Sequence, residues 1–259
     1  MPVEVQQGIA RASAVLAALG DSTTGAMRAS EIGRVANLGA TTIARLLSSL
    51  EELDYVSKDP ESQLYSIGPE ILKLSSQGLN QNAVHRESRS VAQELARRTG
   101  LSVNVAIRDN DHIVYLCHFE GELAPKAHTM IGMRQPMHAS ALGKCLLGSM
   151  SENERRELLG PDPLPSYTAM TLTTHERLSA DLASSEDSGV CTEDQELALG
   201  RLCIAAPIHD ARGAVVASIS VSGRLSVMRQ QDLEDVTELM IEAADRISVG
   251  LGMISAIPH

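Results

Sequence analysis

The chain is poor in aromatic residues, with one Phe, four Tyr and no Trp in 259 positions. Stacking the bases of single-stranded nucleic acid needs several clustered rings, so that class of binder is excluded. Any core must be built from Leu, Ile, Val, Ala and Met. Paired cysteines are lacking too. Cys117, Cys145, Cys191 and Cys203 are far apart, with none of the short spacings of a zinc site or a CxxC redox motif. Each therefore reads as a small buried apolar residue in a reducing compartment, and neither a metal nor a cofactor is implied. No stretch of about 18 apolar residues occurs, and the segment MPVEVQQGIARASAVLAALG has no basic region leading into a long apolar run. These absences argue against secretion and membrane insertion and place the chain in the cytoplasm.

Basic charge is also short. The net charge is −11, and affinity for nucleic acid at large comes from Lys and Arg neutralising phosphates. A general polyanion binder is excluded, whereas a local DNA face is not. Even residues 1–80 hold only six basic residues (Arg11, Arg28, Arg34, Arg45, Lys58 and Lys73) against nine acidic ones. What is present is a globular composition, 43% hydrophobic and 21% charged, at a length suited to two domains of roughly 150 residues.

The first eighty residues carry a readable order of elements. Ile9, Ala12, Val15, Leu16 and Leu19 recur at helical spacing, predicting an amphipathic helix that ends near Gly20. After a polar loop a short helix is expected around Ser30 to Ala36, stopped by the turn Asn37-Leu38-Gly39. The next helix, Ala40 to Leu53, has one apolar stripe of Ile43, Leu46, Leu47, Leu50 and Leu53. Its opposite face is Thr41, Arg45, Ser48 and Glu52, flanked by Thr42 and Ser49. Short hydroxyls and one arginine let a helix enter a major groove about 12 Å wide and bond phosphates or base edges. Two alternating segments around Asp59-Pro60-Glu61-Ser62-Gln63 then read as a β-hairpin. Three helices and a hairpin form the order of a winged helix-turn-helix; the alternative is a small helical module whose polar face is only solvated.

Beyond residue 83 the pattern changes. A helix over 83–98 leads to the alternating strand Leu101 to Ile107, and Asp109-Asn110-Asp111 turns it into a partner, His112 to Cys117. Helices near 140–149, 152–159 and 174–186 alternate with later strands, and a helix with the apolar residues Leu233, Val236, Leu239, Met240, Ala243, Ile247 and Leu251 closes the chain. This is an α+β layout with a mainly antiparallel sheet covered by helices. In the strand Val215 to Ser222, period two puts Val215, Ala217, Ile219 and Val221 on one face and Val216, Ser218, Ser220 and Ser222 on the other. Three buried hydroxyls need partners, and an oxygen-rich ligand supplies them; exposure to water is the alternative.

From about Ile9 to Ile254 the chain resembles the IclR family of bacterial transcription regulators. The likeness rests on SEIGRVANLGATTIARLLSSLEELDYV and YSIGPEILKL, then PMHASALGKCLLG, YTAMTLTT, GVCTEDQELALGRLCIAAPIHD and VVASISVSG, in that order. It implies a winged helix-turn-helix (1–70), a linker helix (71–82) and a GAF-like α/β effector domain (83–259). It also implies a homodimer or dimer of dimers on double-stranded operator DNA, responding to a small organic acid or aromatic effector. Family wings usually carry a glycine and a basic residue where Gln63 and Leu64 precede Tyr65 here, and Glu193 and Gln195 stand where the family more often has Asp and Glu.

Two sets of candidate residues follow. Operator contacts are expected from Thr41, Thr42, Arg45 and Ser48. The resemblance places an effector pocket at Ala141, Leu142, Glu193, Cys203, Ser220 and Ser222, where N–H groups at the start of the helix after His138 would favour a carboxylate. Gly143-Lys144 is not a phosphate loop, because GxxxxGK needs Gly where His138 stands. An enzyme, or a metal or redox sensor, using the His138 and Cys203 region is the competing reading; no HxxxH, HExxH or GxSxG spacing supports it, and a structural His bonded to backbone is the plainer account of His138.

Overall fold

The computed structural model describes residues 6–124 and 130–254; the outermost ends of the two expected domains lie outside the described residues. The chain divides into two compact units, Met1–Gln81 and Asn82–His259.

The first unit runs α1 (Gln7–Gly20), α2 (Ala29–Val35), α3 (Ala40–Glu52), β1 (Val56–Lys58), β2 (Tyr65–Ile67) and α4 (Pro69–Gln81). Apolar residues at helical spacing meet in one core of Val15, Leu19, Ile32, Ile43, Leu47, Leu50 and Val56. Helix α2 starts where the Arg28 backbone N–H donates to the Glu31 carboxylate at 2.7 Å. It stops at Asn37, which takes a left-handed φ of +52°. A Cβ on Gly33 would meet Leu38 O at 3.1 Å and Ile43 Cγ1 at 3.2 Å, so this glycine lets α2 and α3 approach closely. The stripe on α3 is one residue shorter than the sequence suggests. Leu53 is 59% exposed, because α3 ends at Glu52 and the chain turns away through Asp54 at φ +58°.

The β1–β2 wing closes without glycine. Gln63 takes φ +58°, and Asp59 Oδ1 accepts both the Ser62 N–H and the Ser62 hydroxyl at 2.6 Å. The Asp59 carboxyl is held below its usual range by those hydrogen bonds. Lys58 lies with Nζ 5.5 Å from the Tyr65 ring centroid, the residue it pairs with across the strands.

The second unit runs α5 (Ala83–Thr99), β3 (Ser102–Asp109), β4 (His112–Phe119), β5 (Arg134–Pro136), α6 (Ala141–Gly148), α7 (Glu152–Leu159), α8 (His175–Ser188), β6 (Cys191–Asp194), β7 (Arg201–His209), β8 (Val215–Arg224), α9 (Leu225–Met228) and α10 (Leu233–Gly250). The strands form one sheet in the order β5-β4-β3-β8-β7-β6, each neighbouring pair antiparallel. Its α6 face carries Ala106, Tyr115, Cys191, Cys203 and Ala205 in a core shared with Leu142, Cys145 and Leu146. Ala217, Ile219 and Val221 point the other way and are buried.

The hydroxyl face of β8 is buried rather than solvated, with Ser218, Ser220 and Ser222 at most 5% exposed. The alternation fails at its start. The β7–β8 register shifts between Ile208 and His209, so Ala217 faces Ile208 while His209 faces Val215; the extra residue turns Val215 onto the α6 side, where it packs against that core. The edge strands β5 and β6, three and four residues long, are too short for alternation to show in the sequence.

Helix α6 begins hard against the strand before it: a Cβ on Gly143 would fall 2.3 Å from the Met137 Cα and carbonyl oxygen. Gly143→Ala must push α6 off the sheet. A loss of at least about 1–3 kcal/mol of stability is expected, as for other overpacked cores, measurable as a lower midpoint in urea unfolding.

Candidate functional site

On α3 the side chains sort as their spacing requires. Thr41, Arg45 and Ser48 are exposed and Thr42 is half-buried. Ser49 is not free to serve, because its hydroxyl donates to the Arg45 carbonyl one turn back at 3.0 Å. The helix begins at Gly39 with no side chain capping it, so its first N–H groups remain available to an incoming oxygen.

In the second unit, strand register assembles most of the other set. Glu193 on β6 faces Cys203 on β7, Cys203 faces Ser222 on β8, and Ser222 faces Ser102 on β3. The next row on the same face is Ala205, Ser220, Asn104 and His118. Ala141 and Leu142 cover this face from α6, in one buried core with Cys203 and Ala205. They are buried where α6 packs flat on the sheet: Ser218 donates its hydroxyl to the Leu142 carbonyl at 2.9 Å, and the Cys145 thiol donates to the Ala205 carbonyl at 3.3 Å. The Ser218 hydroxyl is thus satisfied by the protein itself. The start of α6 is also partly used, since the Gly143 N–H donates to the Ser140 hydroxyl at 3.2 Å.

A cavity of about 260 Å³ opens at the end of this face, walled by Asn104, His118, Arg201, Ser222 and Arg224. Ser222 is the one expected pocket residue in its wall. Ser220 is fully buried, and its hydroxyl makes no hydrogen bond of good geometry among the described residues. Glu193 and Cys203 are buried in the adjacent row. A relay lines the wall. Asn104 Nδ2 donates to Ser222 Oγ at 3.4 Å, and Asn104 Oδ1 lies 2.7 Å from His118 Nδ1, so that ring nitrogen must carry the hydrogen. Ser222, having accepted, keeps its own proton to give.

The electrostatics of this face disfavour covalent chemistry. Burial pushes the Cys203 thiol up to about 11, so it stays protonated near neutral pH and is a poor nucleophile. Burial also raises the Glu193 carboxyl, although Leu197, Arg201 and Lys144 pull it back. Glu193 is a structural staple as well: Oε1 accepts the Leu197 N–H at 3.1 Å, and Oε2 lies 4.0 Å from Arg201 Nε. His138 donates Nε2–H to the Pro165 carbonyl at 2.9 Å, and burial lowers its pKa. Among the described residues no three His, Cys, Asp or Glu side chains gather as a metal site would need.

Beside this face sits a fully buried lysine. Lys144 Nζ on α6 reaches Glu196 Oε1 at 2.6 Å, Asp181 Oδ2 on α8 at 2.9 Å and the Thr192 carbonyl on β6 at 2.9 Å. The Thr171 hydroxyl donates to the Glu196 carbonyl at 2.6 Å and the Thr168 hydroxyl to that of Gln195 at 2.7 Å. The YTAMTLTT segment therefore fixes the turn between β6 and β7.

Residues 76–249 match the family model for the bacterial transcriptional regulator IclR C-terminal domain, and residues 8–60 match the IclR helix-turn-helix domain. The chain belongs to the IclR family. It is 31% identical to the transcriptional repressor AllR of Escherichia coli, over 95% of this chain and 91% of the relative. It is 28% identical to the transcriptional regulator XynR of Escherichia coli, covering 95% and 97% of the two chains. The crystal structure of an IclR regulator from Alicyclobacillus acidocaldarius superposes with a TM-score of 0.86 at 25% identity, over 96% of this chain and all of the other. An IclR protein is a DNA-binding transcription regulator with a C-terminal effector domain and not an enzyme, which removes the catalytic reading of the His138 and Cys203 region.

Several residues of consequence escaped the sequence. Arg201 stands two before Cys203 and so shares its face by period two; extending β7 one step earlier would have found it. Asn104, polar in an apolar strand, and Lys144, charged in the apolar run ALGKCLLG, both implied buried partners. Lys144→Met leaves Glu196 and Asp181 facing each other without a cation. It is expected to destabilise the second unit by about 3–5 kcal/mol, with the double variant Lys144→Met/Glu196→Gln recovering part of the loss in the same urea titration.

Proposed function

We propose that the protein controls a catabolic operon, reading its operator through Thr41, Thr42, Arg45 and Ser48 and releasing or engaging it when a small organic acid or aromatic effector binds the second unit. In this reading α4 is the linker, and the effector meets the sheet face of Glu193, Cys203, Ser220 and Ser222 beneath Ala141 and Leu142. The observation that carries the effector assignment is the Ser220 hydroxyl, fully buried with no better side-chain partner among the described residues than the Cys203 thiol, a weak hydrogen-bonding group, one row from the cavity wall of Ser222. A buried unmet hydroxyl costs about 1–3 kcal/mol, which a ligand oxygen offsets on binding.

The exposed hydroxyls and single arginine of α3 support the operator assignment. One helix-turn-helix reads only a half-site, and this one is poor in cations, so we infer a homodimer or dimer of dimers, in which two weak half-site contacts act together through effective concentration. The exposed Ile9, Leu72 and Leu74 of the first unit are apolar surface suited to being covered in such an assembly. Sedimentation checks this inference, and a monomer on the operator at micromolar protein would count against it.

Arg45→Ala is expected to weaken operator binding by about 1–3 kcal/mol with the fold intact; fluorescence anisotropy measures it, and unchanged affinity would remove α3 as the reader. Ser220→Ala/Ser222→Ala is expected to abolish the response to effector while operator affinity in its absence is retained. Calorimetry with acids handled by enzymes encoded beside the regulator is the check, and equal binding by wild type and double variant would place the ligand elsewhere.

A further inference from the structure

Resting on the effector reading above, we propose that the cavity at the end of the sheet selects a dianion, a short dicarboxylate, held between Arg201 and Arg224. The two arginines are direct cross-strand partners on β7 and β8, and both stand in the cavity wall. Like charges placed directly opposite on a sheet repel. Neither is neutralised in the usual way. The Arg224 side chain makes no ion pair or hydrogen bond among the described residues; Arg201, which lies against the uncharged Tyr115 hydroxyl and Cys203 thiol, approaches a carboxylate only at 4.0 Å, that of Glu193, which is already engaged by the Leu197 N–H. No carboxylate lines the cavity, whereas His118 and Asn104 do; the nearest acids stand behind the wall, Glu120 at 3.5 Å from His118 Nε2 and Glu193 at 4.0 Å from Arg201 Nε. In a chain of net charge −11, a hollow walled by two guanidiniums and no acid is a local inversion of sign, which concentrates anions there.

Depth separates the two arginines and favours a ligand with two ends. The Arg201 side chain is 26% exposed, while Arg224 is exposed at the rim. An inner carboxylate engages Arg201 by its planar fork and takes the proton that Ser222 keeps after accepting from Asn104. An outer carboxylate meets Arg224. A monocarboxylate leaves one arginine facing the other uncompensated. The volume of about 260 Å³ is below the roughly 300–1,000 Å³ of pockets for drug-sized ligands, so the occupant is small.

The test is calorimetry on the full-length protein at matched ionic strength, with straight-chain dicarboxylates of three to six carbons, the monocarboxylates of the same lengths, and propyl phosphate. At least one dicarboxylate is expected to bind about tenfold or more tighter than its monocarboxylate, the scale of one charge-assisted contact. Arg224→Gln, at an exposed position without partners, is expected to fold normally by circular dichroism and to bring the two to parity. Parity in the wild type, undiminished dicarboxylate affinity in Arg224→Gln, or tighter binding of propyl phosphate than of every dicarboxylate would each overturn the proposal. Operator titrations separate it from the reading it rests on. Discriminating dicarboxylate binding that leaves operator affinity unchanged sinks the effector reading and leaves the dianion site standing; operator release by a monocarboxylate or a neutral ligand alone does the reverse.

Discussion

The ammonium of Lys144 has no contact with solvent, and three separate parts of the second unit converge on it: α8 through Asp181, β6 through Thr192, and the following turn through Glu196. Desolvating a cation is expensive, and it is tolerated only where every donor has a partner. That requirement fixes where α6 sits along the sheet. With α6 fixed, the Leu142 carbonyl is in place for Ser218 and the Cys145 thiol for the Ala205 carbonyl, which seals one end of the sheet face. The other end holds the cavity, whose wall includes Leu199 and Gly200 just beyond the turn held by Thr168 and Thr171.

The sheet face is thereby graded. Near α6 it is apolar and closed; one row along, Ser220 is buried with only the weak Cys203 thiol as side-chain partner among the described residues; a row further, Glu193 and Ser222 are engaged with backbone and Asn104; at the far end stand the arginines. Burial acts on the ionisable groups in the same sense throughout, raising Glu193, Cys203 and Tyr115 and so favouring their neutral forms. Positive charge prevails at the open end through geometry and not through composition.

Element order was legible because helices with one apolar stripe and strands with alternating burial are periodic, and both α3 and β8 are long enough to show it. Short edge strands carry no period, and the bulge opposite Val215 shifts one residue without leaving a mark in composition. Among the effector candidates, the resemblance named Ala141 and Leu142, yet their side chains pack in the core, and the cavity wall lies at the other end of the face. What the sequence did not disclose was partnership across strands. That Arg201 faces Arg224 depends on a β7–β8 register fixed by contacts scattered over the whole sheet, and no local pattern encodes it.

The wing also sets how this regulator meets salt. Its turn is tied by Asp59 to Ser62, and its one lysine lies over Tyr65, while α3, proposed above to read the operator, offers a single arginine among hydroxyls. Each phosphate neutralised by a cation adds about −0.9 to the slope of log affinity against log salt. A DNA-binding unit so sparing of cations displaces few counterions when it docks. On the proposed reading, each α3 and wing would therefore add only a shallow salt dependence to operator binding.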